Sequence, residues 1–181
     1  MSSSSEHLFE TLLWRSHSAH VEFHREWKHY YDGSRKPEPQ SLIDARKRFI
    51  AESDRVFESL ARYDEGFSLG ESESINAILD FIAVDIPAFR CGYAKEKYLR
   101  RLKSQRLEPS QMERIRKIGL AMCGSESYRR EFRDLARLLI NIADSAFVES
   151  VRALQTGPDG IVEFKCKLML KTILNVRKDL A

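Results

Sequence analysis

Glycine is scarce in this sequence, with 8 among 181 residues. Phosphate-binding loops depend on closely spaced glycines, because their backbone amides must come close to the phosphate. Neither the G-x-x-x-x-G-K pattern nor the G-x-G-x-x-G pattern occurs. The two common classes of nucleotide-binding loop are therefore excluded. Long apolar runs are also absent, and a membrane-spanning helix would need about 18 consecutive apolar residues.

Cysteine is equally sparse. The three residues, Cys91, Cys123 and Cys166, are an odd number and lie far apart. A disulfide framework or a zinc site would need clustered pairs. We therefore expect reduced, buried thiols in a cytoplasmic protein. The first five residues form a polar, serine-rich tail without the basic start and apolar core of a secretory signal.

The net charge is only +3, but its distribution along the chain is uneven. Residues 1–89 hold 10 basic and 16 acidic side chains, a net charge of −6. Residues 90–137 hold 14 basic and 6 acidic side chains, a net charge of +8. Such asymmetry is typical of a partner-binding surface. Mutual attraction of the two regions, or simple solvation of helix faces, stays an open alternative.

Apolar residues recur with helical spacing along most of the chain, and no segment alternates well enough to form a strand. We predict an all-α single domain, residues 1–181, of six to eight mostly antiparallel helices. Within it we expect a disordered tail (1–5), a helical hairpin (6–66) and a HEAT-like or bundle-like helical array (72–180). Helix stops are predicted at Gly33, Gly66 and Gly157–Pro158. The predicted third helix, about Ser74 to Ile86, is apolar on most sides, which is typical of a central, buried helix.

The stretch from Ser125 to Gln155 is the centre of the predicted fold. Wound as one helix, it places three arginines on one side and a core stripe on the other. The stripe consists of Tyr128, Phe132, Leu135, Leu139, Ile142 and Ala146. The phase of its apolar residues changes near Asp144, which predicts a bend or a second short helix there. Two helix starts are also predicted, from a Ser41/Asp44 capping box and from an Asp159 cap.

One segment suggests a specific kind of helical array. The sequence G-Y-A-K-E-K-Y-L-R-R-L, from Gly92 to Leu102, resembles the second helix of a HEAT-type or armadillo-type repeat. Gly160–Leu174 resembles it more loosely, and the amino acids do not repeat cleanly along the chain. The resemblance implies a stacked helical scaffold whose role is binding.

All five histidines lie within the first 29 residues. His17, His20 and His24 line one edge of the predicted first helix, and His20 and His24 have the i, i+4 spacing that can hold one metal ion. A third ligand would have to come from another helix, such as Glu58 or Asp64. The simpler interpretation is that His20 packs at the edge of the core and the others face solvent. A pH-sensitive contact is a third alternative.

Catalytic patterns are missing. No G-x-S-x-G element and no S-x-x-K with supporting motifs occurs. The carboxylates are plentiful but unpatterned, so a hydrolase is not indicated and stays open. We expect no cofactor, and we favour a non-enzymatic role.

The basic residues offer the best functional hint. Helical spacing groups Arg90, Lys97 and Arg101 on one helix, and Arg130, Arg133 and Arg137 on another. Guanidinium groups suit bidentate capture of carboxylate or phosphate. Arg100 lies beside the first group. Within residues 90–137, three glutamates lie four positions before a base, in the pairs Glu96–Arg100, Glu113–Lys117 and Glu126–Arg130, and such pairs reduce the free charge.

These patterns predict a helical protein-interaction module, an adaptor, regulator or inhibitor, that docks an acidic protein through its basic face. A nucleic-acid binder using the same face is the alternative, although aromatic residues do not alternate with the basic ones as single-strand binding would require. A metal-dependent enzyme based on the histidines is the third hypothesis.

Overall fold

The computed structural model describes residues 4–30, 37–88, 90–127, 129–155 and 159–180. These residues form eight α-helices and one short 3-10 helix and contain no strand, so the predicted all-α fold of six to eight helices is confirmed. The chain divides into two compact units, Met1–Cys91 (unit 1) and Gly92–Ala181 (unit 2). Among the described helices, none combines the length and apolarity that a membrane crossing requires.

Unit 1 contains three helices: α1 (Ser4–Tyr30), α2 (Gln40–Leu69) and α3 (Ser72–Ala83). Early residues of α1 contact late residues of α2, which confirms the predicted antiparallel hairpin. Phe9 lies 6.3 Å from Tyr63 between ring centroids, and Phe23 stacks on Phe49 at 5.8 Å. Helix α3 is apolar on nearly every side, as the sequence predicted, and is almost fully buried.

Two helix boundaries in unit 1 differ from prediction. The predicted capping box at Ser41 is wrong, because α2 begins at Gln40 after Pro39 and has no side-chain cap. The predicted break at Gly66 is also wrong, since α2 continues to Leu69. Gly70 then ends the helix with a φ of 79°, a left-handed conformation that glycine adopts without a steric penalty.

Unit 2 contains five α-helices and the short 3-10 helix Lys178–Leu180. The α-helices are α4 (Cys91–Leu102, whose first residue belongs to unit 1), α5 (Pro109–Gly124), α6 (Phe132–Leu139), α7 (Ser145–Gln155) and α8 (Gly160–Leu174). Asp159 caps α8 as predicted, because its carboxylate accepts from the amides of Ile161 and Val162. A reciprocal capping box of Glu108 and Gln111, not foreseen from the sequence, begins α5.

The stretch from Ser125 to Gln155 is two helices rather than one. The predicted second helix at Ser145 is confirmed, but the described residues before Phe132 are not α-helical. Phe132, Leu135 and Leu139 are buried as predicted, whereas Ala146 is exposed. Three predictions concern residues outside the described ranges: the helix stops at Gly33 and at Gly157–Pro158, and the core role of Tyr128. The predicted tail, residues 1–5, lies partly outside them, but Ser4 and Ser5 already belong to α1.

Gly119 permits the close packing of α5 on its neighbours in unit 2. A Cβ atom at this position would lie 2.7 Å from Cδ1 of Leu139 and 3.3 Å from Cζ of Phe147. Alanine normally stabilises a helix interior by about 1 kcal/mol relative to glycine. At Gly119 the steric cost of the added methyl group, about 1–3 kcal/mol, exceeds this gain in helix propensity.

We expect Gly119→Ala to lower the free energy of unfolding by about 1 kcal/mol, measured by urea denaturation. Gly124→Ala is the matched control on the same helix, because a Cβ atom there would have no heavy atom within 4 Å. A stabilised Gly119→Ala variant would show that Leu139 and Phe147 can move aside.

Candidate functional site

Two carboxylates in unit 2 gather arginines from α4 and from the segment around α6. Arg100 of α4 donates from Nε to Oδ2 of Asp134 at 2.9 Å and from Nη2 to Oε2 of Glu96 at 3.2 Å. Arg130 donates from Nε to Oε1 of Glu96. Glu96 therefore receives two guanidinium groups that lie 30 positions apart in the sequence.

The second carboxylate, Asp134, also receives two arginines. Besides Arg100, it accepts from Nη1 of Arg137, one turn later on α6, at 3.5 Å. Hydrogen bonding to Asp134, and then the charge of its carboxylate, raise the pKa of Arg100. Hydrogen bonding to Glu96 likewise raises the pKa of Arg130. Arg100 and Arg130 are therefore charged at neutral pH.

The carboxylates are buried and the arginines are exposed. The side chains of Glu96 and Asp134 are 8% and 6% exposed, whereas those of Arg100, Arg130 and Arg137 are 60%, 55% and 61% exposed. Arg133 lies four positions before Arg137 on α6 and is also exposed. We name this surface, Arg100, Arg130, Arg133 and Arg137, the arginine face.

An exposed tyrosine borders the arginine face. The guanidinium carbon of Arg130 lies 4.0 Å from the ring centroid of Tyr93, a cation–π distance. Tyr93 is 61% exposed. The surface therefore combines an aromatic ring with guanidinium groups, which is the composition that protein interfaces favour.

The structure brings three of the six predicted basic residues to this surface: Arg130, Arg133 and Arg137. Lys97 and Arg101 lie on α4, where Nζ of Lys97 and the guanidinium carbon of Arg101 are 5.4 and 5.7 Å from the ring centroid of Tyr98. Arg90 belongs to unit 1 and has a φ of 62°. The Glu96–Arg100 and Glu113–Lys117 pairs form as predicted. The predicted Glu126–Arg130 pair is wrong, since Arg130 binds Glu96.

Two of the histidines predicted to line one edge of α1 do lie together, since the ring centroids of His20 and His24 are 5.6 Å apart. Nδ1 of His17 lies 2.9 Å from the carbonyl oxygen of Pro87, and His20 packs 5.0 Å from Phe49 between ring centroids. Partial burial, and then the charges of His24 and His17, lower the pKa of His20. Within the described ranges, no three His, Cys, Asp or Glu residues are grouped so that they could hold a metal ion.

The three thiols are free and buried, as the sequence predicted. Burial, and then the neighbouring Cys166, raise the pKa of Cys123 to about 12. Lys165, which precedes Cys166 on α8, is fully buried. Its ammonium donates to the carbonyl oxygens of Met122 and Ser127 at 2.6 and 3.2 Å, and to that of Ser125. Burial also raises the pKa of Cys166, so the thiols of Cys123 and Cys166 are protonated at neutral pH.

Sequence reasoning missed Tyr93 and Asp134 as members of the surface. It placed Arg100 beside the basic group of α4, but as the partner of Glu96 and not as one of the binding residues. For Asp134, the i, i+3 spacing to Arg137 was the one available signal. No pattern of neighbouring residues within α4 or α6 predicts that the two helices meet through these side chains.

The arrangement as a whole offers fixed positive charge beside an aromatic ring and, among the described residues, no grouped metal ligands. No protein-family model matches the chain, and neither a curated protein nor a solved structure matches it.

Proposed function

We propose that this protein is a helical interaction module that docks an acidic segment of a partner protein on the arginine face. One observation carries the proposal: two buried carboxylates each hold two arginines whose side chains remain more than half exposed. The carboxylates fix the guanidinium groups without covering them.

Fixing the arginines lowers the cost of binding. A free arginine side chain has about 2 kcal/mol of rotamer entropy, part of which is lost when it engages a partner. Ion pairs with Glu96 and Asp134 remove some of this loss before the partner arrives. The side chains of Arg100, Arg130 and Arg137 stay 60%, 55% and 61% exposed, so a carboxylate of the partner can reach their guanidinium groups.

Charge on the surface supports an acidic partner. Four guanidinium groups and two carboxylates leave two positive charges in excess on the arginine face. Unit 2 as a whole holds 19 basic and 11 acidic residues, a net charge of +8, whereas unit 1 has 11 and 16, a net charge of −5. A field of this sign attracts acidic molecules and speeds their association.

The aromatic ring favours a protein partner over a nucleic acid. Tyrosine and arginine dominate the energetically important positions of protein interfaces. A single-strand binder would need several exposed rings along its cationic groove, and the ring of Tyr93 already has Arg130 stacked against it. Nucleic acid is the second candidate, because guanidinium groups also bind phosphate.

A binding titration separates the two candidates. The probes are a fluorescent peptide of alternating Glu and Leu and a single-stranded DNA of equal charge, measured by fluorescence anisotropy at low salt, about 50 mM, where electrostatic binding is strongest. We expect the wild-type protein to bind the peptide more tightly than the DNA. Preference for the DNA would replace the proposal with the nucleic-acid hypothesis.

Charge reversal locates the binding surface. We expect Arg133→Glu/Arg137→Glu to weaken peptide binding by about tenfold or more. The matched control is Lys167→Glu/Lys171→Glu, which makes the same charge change on exposed, i, i+4 positions of α8 in the same unit. Equal losses in both variants, or no peptide binding at all, would overturn the proposal. Circular dichroism confirms that each variant keeps its helices.

A further inference from the structure

Helix α1 has an exposed apolar stripe on the side opposite its core. Its inner side buries Phe9, Leu13 and Ser16. On the outer side, Trp14 and Val21 are 52% and 53% exposed. They lie seven positions apart, almost in line along the helix and separated by about 10.5 Å.

Charged residues of opposite sign flank this stripe. Glu10 lies one turn before Trp14, and Arg25 and Lys28 follow Val21 by one and two turns. All three are exposed. Arg25 has an ion pair with the adjacent Glu26 at 3.9 Å, the outer limit for such a contact. The outer side of α1 is therefore acidic at its N-terminal end and basic at its C-terminal end.

This pattern is complementary to itself when the helix direction is reversed. If two copies of α1 pack antiparallel about a two-fold axis near His17 and Ser18, Trp14 of each copy meets Val21 of the other. Glu10 then lies among Arg25 and Lys28 of the other copy. A parallel pair would instead bring like charges together at both ends.

We propose that the chain forms a symmetric homodimer through antiparallel packing of the outer side of α1. The same patch then serves both copies, as a two-fold interface requires. Two tryptophans and two valines form its centre, and the charged ends fix its direction. This inference rests on unit 1 and is independent of the function proposed for the arginine face of unit 2.

Sedimentation velocity of the full chain, from about 1 µM to about 100 µM, tests the proposal. We expect a concentration-dependent dimer for the wild-type protein. Glu10→Lys should weaken the dimer by about tenfold or more, because it places like charges at both ends of the interface. Arg25→Glu/Lys28→Glu should do the same, and the triple variant that combines these changes should restore dimerisation.

The control is Glu58→Lys, an equal change at an exposed position of α2, which should leave the dimer unchanged. A wild-type chain that is monomeric at the highest concentration overturns the proposal. A dimer that is insensitive to the reversals, or that the triple variant fails to restore, also overturns it. Because every substituted residue is exposed, the variants are expected to fold, which thermal denaturation checks.

Discussion

Replacing Lys165 by methionine is expected to lower the free energy of unfolding by about 3 kcal/mol. Lys165 is fully buried, and its ammonium donates to three backbone carbonyls at the end of α5 and just beyond it. The last carbonyls of a helix have no partner within the helix, and a cation near them is favourable. Methionine fills a similar volume but donates no hydrogen bond.

The loss is expected to be large because hydrogen bonds from a charged donor each contribute about 1.5–3 kcal/mol, and the carbonyls would stay buried. The substitution also removes the cost of burying the ammonium, which offsets part of this loss of stability. Urea denaturation of Lys165→Met should give a lower midpoint with an unchanged slope. Lys167→Met, at an exposed position two residues later, is the control, and a surface change of this kind is usually within about 0.5 kcal/mol. Equal stabilities of the two variants would contradict a structural role for the ammonium.

The second large effect concerns alkaline pH. Burial, and then Cys166, raise the pKa of Cys123 from 9.0 to about 12. Above pH 9 the unfolded chain therefore loses the thiol proton while the folded chain keeps it. Ionisation then favours the unfolded state, and stability falls as the pH rises from about 9 towards 12. A shift of one pKa unit corresponds to about 1.36 kcal/mol.

On this basis Cys123 should remove about 2 kcal/mol of stability between pH 8 and pH 10.5. The measurement compares urea unfolding of the wild-type protein and Cys123→Ala at both pH values. Other groups that titrate in this range are present in both proteins, so the difference reports Cys123 together with its contact to Cys166. We expect the wild-type protein to lose more stability than Cys123→Ala. The same loss in both proteins would show that burial does not hold this thiol protonated.

Local patterns predicted the helices well. Helical spacing of apolar residues identified the α1–α2 hairpin, the buried α3 and the new helix at Ser145. These features depend on residues that are close in sequence, such as the Asp159 carboxylate and the amides it caps. The capping box predicted at Ser41 was wrong because the first turn of α2 starts one residue earlier, after a proline.

The site depends on contacts that local patterns do not contain. Arg130 was expected to pair with Glu126 along one helix, but the described residues between Ser125 and Glu131 are not α-helical, and Arg130 donates to Glu96 of α4. Lysine and the carboxylate residues are mostly exposed in proteins. Lys165, Glu96 and Asp134 are buried because tertiary packing supplies a partner for each charge. Helical spacing in the sequence does not predict this burial.

In the function proposed for the arginine face, the arginines contribute more than their charge, because the buried carboxylates fix their side chains before a partner binds. Asp134→Asn separates this claim from charge alone. The variant keeps the shape of the side chain and adds one positive charge to the surface, but it weakens the contacts that fix Arg100 and Arg137.

The most direct measurement is the affinity of Asp134→Asn for the acidic Glu/Leu peptide, compared with that of the wild-type protein at the same salt concentration. If the carboxylates order the arginines, binding should weaken by about fivefold, about 1 kcal/mol, although the surface is more positive. If the arginines act only through their charge, the variant should bind the peptide more tightly, and that result would contradict the account.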